Sequence, residues 1–115
     1  MLRGEIWQVE FDPAPGTGTG RRRPAVVVSN DRADTMAVRI GRGVVTVVPL
    51  SSDTATVAPF QVLLPAATTG LPVDAKAHAE QIRSVAAERL RRPIGRVAPA
   101  ELAAIDEALR LHLAL

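Results

Sequence analysis

The chain has 115 residues, of which 47% are hydrophobic, so residues 1–115 are expected to form a single domain with an apolar core. It contains no cysteine and only two histidines, which excludes disulfides and thiolate nucleophiles, and no metal site is expected. The formal net charge is only +2, but arginines cluster at residues 21–23 and 89–96, a distribution that indicates a localised anion site.

The first predicted element is a strand over residues 4–12, where large apolar side chains alternate with polar ones. Two prolines and a glycine in residues 13–16 end it, since neither residue type continues a strand ladder. A loop over residues 13–22 is expected next. This loop contains three glycines and the first two arginines of the basic run. Loops of this length on small domains are often functional.

Two apolar runs rich in valine predict central strands that are buried on both faces. The first, Pro24–Val28, begins at a proline, and the second, Val44–Val48, ends before Pro49. Residues 30–43 show no clear period. The polar stretch Ser51–Val57 is typical of a loop.

The second half of the chain predicts three more strands. Phe60–Leu64 forms one strand and residues 68–72 form a turn. Residues 75–85 form another strand, on which His78 and Glu80 share one face because they lie two residues apart. A short final strand is expected over Ile94–Val97.

From Pro99 onward the apolar residues recur at helical spacing, and a proline followed by Glu101 suits a helix N-terminus. The apolar stripe of this helix is wider than one face, which indicates a partner surface as well as a core. Five or six short strands followed by one C-terminal helix predict a mainly β protein, a small and partly open β-barrel.

Five blocks of sequence, in this order, resemble the MazF/PemK family of toxins from toxin–antitoxin systems. They are RGEIWQVEFDPAPG, RPAVVVSND, VTVVPLSS, PFQVLL, and EQIRSV followed by RLRRPIGRV. The resemblance covers essentially the whole chain, and an ordered set of blocks is far more specific than any single motif.

This resemblance implies an SH3-like, partly open β-barrel of the MazF/PemK/CcdB type that acts as a homodimer. The N-terminus carries charges and has no apolar signal region, so the protein is expected in the cytoplasm. It implies metal-independent, sequence-selective endoribonuclease cleavage of single-stranded RNA by 2′-OH attack, without a cofactor, which inhibits translation and growth. The implied partners are RNA and a cognate MazE-like antitoxin, and DNA is reached only through the antitoxin. The chain has no run of ~20 apolar residues and no signal-peptide pattern, so no membrane partner is expected.

The resemblance also implies catalytic residues. RPAVVVSN places Arg23 at the family's catalytic arginine, and VVPLSS places Ser51 where many members have a catalytic threonine, with Ser52 beside it. EQIR places Glu80 at an acidic position implicated in some members, and His78 falls where one branch carries an arginine. A fixed guanidinium and a hydroxyl donor suit the negative charge that develops on the phosphate oxygens during cleavage.

The group that accepts the 2′-OH proton is left open among three side chains. Arginine is a poor general base because its pKa lies above ~12, so Glu80 or His78 would serve better, although the resemblance points most firmly at Arg23. One departure from the family concerns Gly18, which stands where much of the family has glutamate in this loop. Any role of a loop carboxylate is therefore absent or moved in this chain.

RNA or antitoxin contacts are expected from the two predicted loops and the basic run. Neither loop contains an aromatic residue, so hydrogen bonding and arginine stacking must supply base recognition. The predicted contact residues are Thr17, Thr19, Arg21, Arg22, Asp53, Thr54 and Gln81.

Two alternative functions use the same barrel. A CcdB-like toxin that targets gyrase acts through an aromatic and acidic cluster at the end of its C-terminal helix, and this chain ends in LHLAL, with neither. A relative that binds antitoxin but cleaves RNA weakly or not at all is kept open by Ser51 and Gly18, which replace the commoner threonine and glutamate.

Overall fold

The computed structural model of the chain describes residues 1–13, 20–32, 36, 39 and 43–115. Within these residues the strands are β1 (Glu5–Pro13), β2 (Gly20–Val27), β3 (Val44–Ser51), β4 (Gln61–Leu64), β5 (Ala75–His78), β6 (Arg83–Ala86) and β7 (Leu90–Arg96). The helices α1 (Ala66–Thr69) and α2 (Pro99–Leu113) and the 3₁₀ turns Ala79–Gln81 and Ala87–Arg89 connect or follow them.

The strands form an antiparallel sheet in the order β4-β5-β3-β2-β1-β7, with β6 paired to β3 outside this path. β3 is the centre: β2 pairs along one side, while on the other side β6 pairs with its first half and β5 with its second half. No ladder among the described residues joins β4 to β7, so the barrel is partly open. The predicted mainly β fold with a C-terminal helix is confirmed.

One strand boundary differs from the prediction at Pro49. β3 runs through this proline to Ser51 instead of ending before it. Pro49 lies between Val47, the last residue paired with β6, and Leu50, the first residue paired with β5. Its missing N–H therefore interrupts neither of those ladders, and the strand continues.

The start of β2 also differs from the prediction. β2 begins at Gly20, so the predicted loop over residues 13–22 is wrong at its C-terminal end, and the strand does not start at Pro24. β1 likewise continues to Pro13, which pairs with Gly20 across a register shift. β3 pairs with β2 only after Pro24, so the first half of β2 is supported by β1 alone. Arg21–Arg23 are consequently held on a strand.

The predicted strand over residues 75–85 is instead two short strands, separated by the 3₁₀ turn at Ala79–Gln81. The chain must turn there because β5 and β6 pair with different halves of β3. The predicted turn at residues 68–72 coincides with the end of α1 at Gly70, whose φ of 84° lies in the left-handed region that glycine adopts without strain. β7 is longer than the predicted Ile94–Val97 because it pairs along much of β1.

The central strands are buried on both faces, as their valine-rich runs predict. One cluster of buried residues includes Ile6, Val26, Val48, Leu50, Leu64 and Ile105 of α2. A second cluster includes Val9, Ala25, Val27, Val45, Val47 and Val85. Successive residues of β2 and β3 alternate between the two clusters, as the pleat of a strand requires. These two strands therefore form a rigid centre from which the site residues project.

The helix α2 contributes one face to the core and leaves another in solvent. Its first turn is stabilised by Glu101, whose carboxylate accepts the N–H of Ala98 at 2.7 Å. Ile105 is fully buried, whereas Leu111 is 59% exposed and Leu113 is 46% exposed. The apolar stripe is thus wider than the core requires, as the sequence predicts.

Candidate active site

Ser51 ends β3 at the point where this strand meets β5. Its Oγ lies 2.7 Å from Nε2 of His78, the last residue of β5. The register explains the contact, because Ser51 pairs with Lys76 and side chains two residues apart on a strand share a face. A half-buried serine and a buried histidine, which is 8% exposed, are therefore joined by a hydrogen bond between two strands.

Glu80 extends this contact to a chain of three side chains. Its Oε1 lies 2.8 Å from Nδ1 of His78, the ring nitrogen that does not face Ser51. The predicted proximity of His78 and Glu80 is confirmed, but the predicted reason is wrong, since Glu80 lies in a 3₁₀ turn and not on a strand. The tight turn after β5 brings the carboxylate back to the ring.

The carboxylate determines which nitrogen of the imidazole carries the proton. Nδ1 faces an acceptor, so in the neutral ring the proton belongs on Nδ1, and Nε2 is left to accept the hydroxyl proton of Ser51. When the ring is protonated, Nε2–H donates to Ser51 instead. The direction of the serine–histidine hydrogen bond therefore follows the charge of His78.

Gln61 in β4 is a member of the site that sequence reasoning missed. Its Nε2 donates to Oε1 of Glu80 at 2.9 Å and lies 3.3 Å from Nδ1 of His78. The carboxylate is the better acceptor, which leaves the Nδ1 proton to Glu80. Gln61 is itself held by Ala58, whose N–H donates to its Oε1 at 2.9 Å. The only signal for Gln61 is the strand register, which pairs it with His78.

The pKa of the Glu80 carboxyl is lowered although the group is partly buried. Desolvation raises this pKa, but hydrogen bonds from Gln61, from His78 and from its own backbone N–H, together with the charge of His78, outweigh it. The second oxygen, Oε2, is buried and has no hydrogen-bond partner among the described residues. Glu80 is therefore an ionised group at neutral pH that is oriented through one oxygen.

Arg23 lies in β2 beside the end of β3 and is held by neutral groups. Its Nε and Nη2 donate to the carbonyl oxygen of Leu50 at 3.3 and 3.1 Å, and its Nη1 donates to Oε1 of Gln81 at 3.3 Å. Burial lowers the pKa of Arg23, and the neighbouring charge of Arg21 lowers it further. Arg23 makes no ion pair within the described part of the chain. Its charge is thus available to an anion.

The predicted contact residues of β2 lie on the same strand as Arg23. Arg21 and Arg22 are exposed, and Nη2 of Arg22 lies 4.0 Å from the carboxylate of Glu10 in β1. Glu10 also pairs with Arg91 of β7 at 2.7 Å. The side chains of Arg22 and Arg91 stay 60% and 51% exposed in these pairs, so both cations remain accessible.

The remaining predicted residues belong to the two predicted loops. Ser52 is exposed next to Ser51, Asp53 accepts the N–H of Ala55 at 3.3 Å, and Thr54 is half-buried. The other predicted loop residues, Thr17, Gly18 and Thr19, lie outside the described residues.

Lys76 is a second residue near the site that sequence reasoning missed. It lies opposite Ser51 in the ladder between β3 and β5. Only 8% of it is exposed, and its Nζ donates to the carbonyl oxygen of Thr56 at 2.6 Å. This hydrogen bond ties the segment after β3 to the sheet, directly beside Ser51.

A pocket of about 310 Å³ opens beside Arg23 and Ser51. Of the described residues that line it, Ser52 alone adds another polar side chain. The rest of the lining is apolar and consists of Pro24, Leu50, Leu71, Pro72, Val73 and Ala75. An apolar cavity therefore lies next to a cation and two hydroxyl groups.

The polar groups of the site include a guanidinium, two hydroxyls, an imidazole, a carboxylate and the amides of Gln61 and Gln81. The part of the chain that the structure describes has no group of three or more His, Asp or Glu side chains placed to hold a metal ion. In the same ranges, no helix is both long enough and apolar enough to cross a membrane.

Comparison with known proteins gives full-length matches. Residues 2–113 match the family model of the PemK-like, MazF-like toxin of type II toxin–antitoxin systems. The chain is 69% identical over 115 residues to Endoribonuclease MazF9 of Mycobacterium tuberculosis (strain ATCC 25618 / H37Rv), which covers 100% of this chain and 98% of that protein. It is 32% identical over 116 residues to Endoribonuclease MazF6 of the same strain, with coverage of 100% and 98%.

A solved structure shows the same architecture. The chain superposes on a MazF chain in a MazE–MazF crystal structure (Form-II) from Deinococcus radiodurans with a TM-score of 0.81 and 25% sequence identity. The superposition covers 100% of this chain and 96% of that chain. The likeness therefore extends over the whole chain in sequence and in fold.

Proposed function

Because this chain belongs to the PemK-like, MazF-like toxins of type II toxin–antitoxin systems, we propose that it is an endoribonuclease whose site is formed by Arg23, Ser51, His78 and Glu80. Two relatives that cover its whole length, at 69% and 32% identity, are endoribonucleases, which supports this activity. The observation that carries the assignment of the site is the hydrogen-bonded chain from Ser51 through His78 to Glu80, which lies beside an arginine held by neutral acceptors.

The substrate is single-stranded RNA, and the nucleophile is the 2′-OH next to the scissile phosphate. The 2′-oxygen bonds to phosphorus while the bond from phosphorus to the 5′-oxygen breaks, and the leaving oxygen takes a proton from water. The products are a 2′,3′-cyclic phosphate and a 5′-OH, and no metal or cofactor takes part. The protein must supply positive charge at the phosphate and a group that accepts the 2′-OH proton.

Arg23 stabilises the negative charge that develops on the non-bridging oxygens. Its guanidinium is held against the carbonyl oxygen of Leu50, so it is positioned before the substrate binds. A guanidinium carries five N–H groups, and the bonds to Leu50 and Gln81 leave some of them for a phosphate. A cation that is partly desolvated and has no carboxylate partner interacts strongly with the transition state.

His78 accepts the 2′-OH proton through Ser51. The ring is buried, so it reaches the substrate only through the serine hydroxyl that it contacts. Ser51 passes its own proton to Nε2 as its oxygen takes the proton of the 2′-OH. Glu80 then stabilises the imidazolium through Nδ1. In this mechanism His78 is the base, Glu80 orients it, and Arg23 stabilises charge.

Incubation of the purified protein with a defined RNA, with and without EDTA, tests the proposed activity. We expect cleavage at specific positions that survives chelation. Arg23→Ala should lower kcat by about 10²–10³-fold, as removal of a transition-state donor does. Arg110→Ala, at an exposed arginine of α2, is the matched control and should leave kcat unchanged. If the wild-type protein leaves the RNA intact, the result would instead support the alternative function, in which this chain binds antitoxin without cleaving RNA.

The proposed partners follow from the charge of the site and from the matched complex. The exposed Arg21 and Arg22 lie on the same strand as Arg23 and form a basic surface that suits RNA. We propose that a MazE-like antitoxin covers this surface with an acidic, flexible segment, which the MazE–MazF structure of Deinococcus radiodurans supports. The toxin acts as a homodimer in the cytoplasm and reaches DNA only through the antitoxin.

A further inference from the structure

The pocket beside Arg23 and Ser51 is not used by the proposed chemistry. Its volume is about 310 Å³, and three consecutive apolar residues that follow α1, Leu71–Val73, line it. Among the described residues that line it, Arg23, Ser51 and Ser52 are the only ones with polar side chains. The pocket therefore suits a ligand that is largely apolar and is joined to an anion.

The wall formed by Leu71–Val73 is fixed at both ends. Before it, Gly70 ends α1 in the left-handed conformation, and its N–H donates to the carbonyl oxygen of Ala66 at 3.2 Å. After it, Oδ1 of Asp74 accepts the N–H of Ala66 at 2.8 Å. The wall is thus formed before a ligand arrives, so little conformational entropy is lost on binding.

The wall also presents apolar surface to solvent at the site. Leu71 anchors it in the core and is 7% exposed, whereas Val73 is 56% exposed. A fixed, exposed apolar surface next to catalytic groups is typical of a binding site. In RNA, the nucleobase has flat apolar faces and is joined to the phosphate through the ribose.

We propose that this pocket binds the nucleobase of one nucleotide that adjoins the scissile phosphate, an inference that rests on the proposed RNA cleavage. With the phosphate at Arg23 and Ser51, which both line the pocket, the attached base lies against Leu71–Val73. The Ser52 hydroxyl both donates and accepts, so it does not distinguish one base edge from another. The pocket therefore selects the base by ring size and shape.

A cycle that combines a protein variant with an altered RNA tests this proposal. The positions that the wild-type protein cleaves are first mapped on a long RNA. Two short RNAs are then made, in which the base on one or the other side of the cleaved bond is replaced by an abasic ribose. Each is treated with the wild-type protein and with Val73→Trp, which fills the pocket. Val44→Trp, at a similarly exposed valine of β3 outside the pocket, is the matched control.

We expect removal of the base on one side to lower kcat/KM of the wild-type protein about 10-fold or more. Val73→Trp should lower kcat/KM on the complete RNA by a similar factor, and the two losses should not add, because both remove the same contact. Val44→Trp should behave as wild-type. Should Val73→Trp fail to fold, Val73→Phe replaces it.

Two results would overturn the proposal in different ways. If the wild-type protein and Val73→Trp lose the same factor on each abasic RNA, the pocket does not hold a base, and the proposed cleavage stands without it. If the wild-type protein leaves the complete RNA intact, the proposed function fails, and the base pocket fails with it.

Discussion

Each ring nitrogen of His78 makes a hydrogen bond, Nε2 with Ser51 and Nδ1 with Glu80. Ionised Glu80 keeps the Nδ1 proton in place, so Nε2 is left for the hydroxyl of Ser51. Without the ring, Ser51 loses its proposed base and Glu80 loses one of the hydrogen bonds that lower its pKa. The proposed activity and the pH dependence of stability therefore rest on the same group of side chains.

Removal of the imidazole tests its role as the base. His78→Ala should lower kcat by about 10²–10⁴-fold, the usual contribution of a positioned acid or base. His112→Ala, at an exposed histidine of α2 whose ring lies 6.2 Å from that of Phe60, should keep the wild-type kcat. An unchanged kcat in His78→Ala would show that the imidazole is not the base.

The lowered pKa of Glu80 predicts how stability depends on pH. In the unfolded chain this carboxyl takes the ordinary glutamate value of about 4.3. Ionisation therefore stabilises the fold above that value, and the stabilisation is lost as the pH falls through the lower pKa of the folded state. Glu80→Gln should narrow the difference in Tm between neutral and acidic pH, whereas Glu88→Gln, at an exposed glutamate, should not. Equal narrowing in both variants would contradict this prediction.

The residues of the site differ in how far the sequence predicts them. Ser51 and Glu80 stand in blocks that resemble the family, and His78 lies two residues before one of these blocks, so each is named from the sequence. Nothing in a single sequence shows that the three side chains touch. Their contact depends on the register of β3 against β5 and on the turn that follows. Gln61 and Lys76 were missed for the same reason, since their roles arise only from pairing across strands.

At the scale of secondary structure elements, the central strands could be predicted and their ends could not. Valine-rich runs identify β2 and β3 because both faces of these strands are buried. Whether a strand starts at Pro24 or stops before Pro49 depends on which neighbouring strand pairs at that position. That pairing is a property of the assembled sheet. The division of residues 75–85 into two strands likewise follows from their pairing with different halves of β3.

The contact between β7 and α1 depends on a glycine. A Cβ at Gly95 would lie 2.0 Å from the carbonyl oxygen of Thr69, which is a backbone atom and cannot rotate away. Gly95→Ala should therefore lower the free energy of unfolding by ~1–3 kcal/mol or more, the cost that is typical of overpacking. The measurement is the Tm, which should fall. Arg96→Ala, at the exposed neighbour, should change the Tm little. A wild-type Tm for Gly95→Ala would show that α1 is not held against β7.

At the scale of the whole molecule, α2 and β4 leave apolar surface in solvent. A groove of about 730 Å³ between them is lined by Leu63, Ala104 and Leu111 among others, and Leu113 and Leu115 are also exposed. β4 ends the sheet order, so one of its edges has no described partner strand. An apolar surface of this kind suits the proposed homodimer, since the centres of such interfaces are rich in apolar residues.

A charged residue in this groove tests whether the proposed dimer uses it. Leu111→Asp should convert the dimer to a monomer, measured as the molar mass by light scattering after size-exclusion chromatography, because an unpaired charge would be buried at the interface. Val44→Asp, at a similarly exposed residue of β3 outside the groove, should remain dimeric. A dimer that persists in Leu111→Asp would place the interface on another face of the molecule.

The attack of the 2′-oxygen is the central step of the proposed reaction, and an RNA that lacks one such oxygen tests it most directly. Two RNAs, identical except for a single 2′-deoxyribose on the 5′ side of the cleaved bond, are incubated with the wild-type protein in EDTA, and the new ends are determined. We predict that the complete RNA is cleaved to a 2′,3′-cyclic phosphate and a 5′-OH, and that the bond next to the deoxyribose stays intact. Cleavage at the deoxyribose, or a 5′-phosphate on the product, would contradict the mechanism.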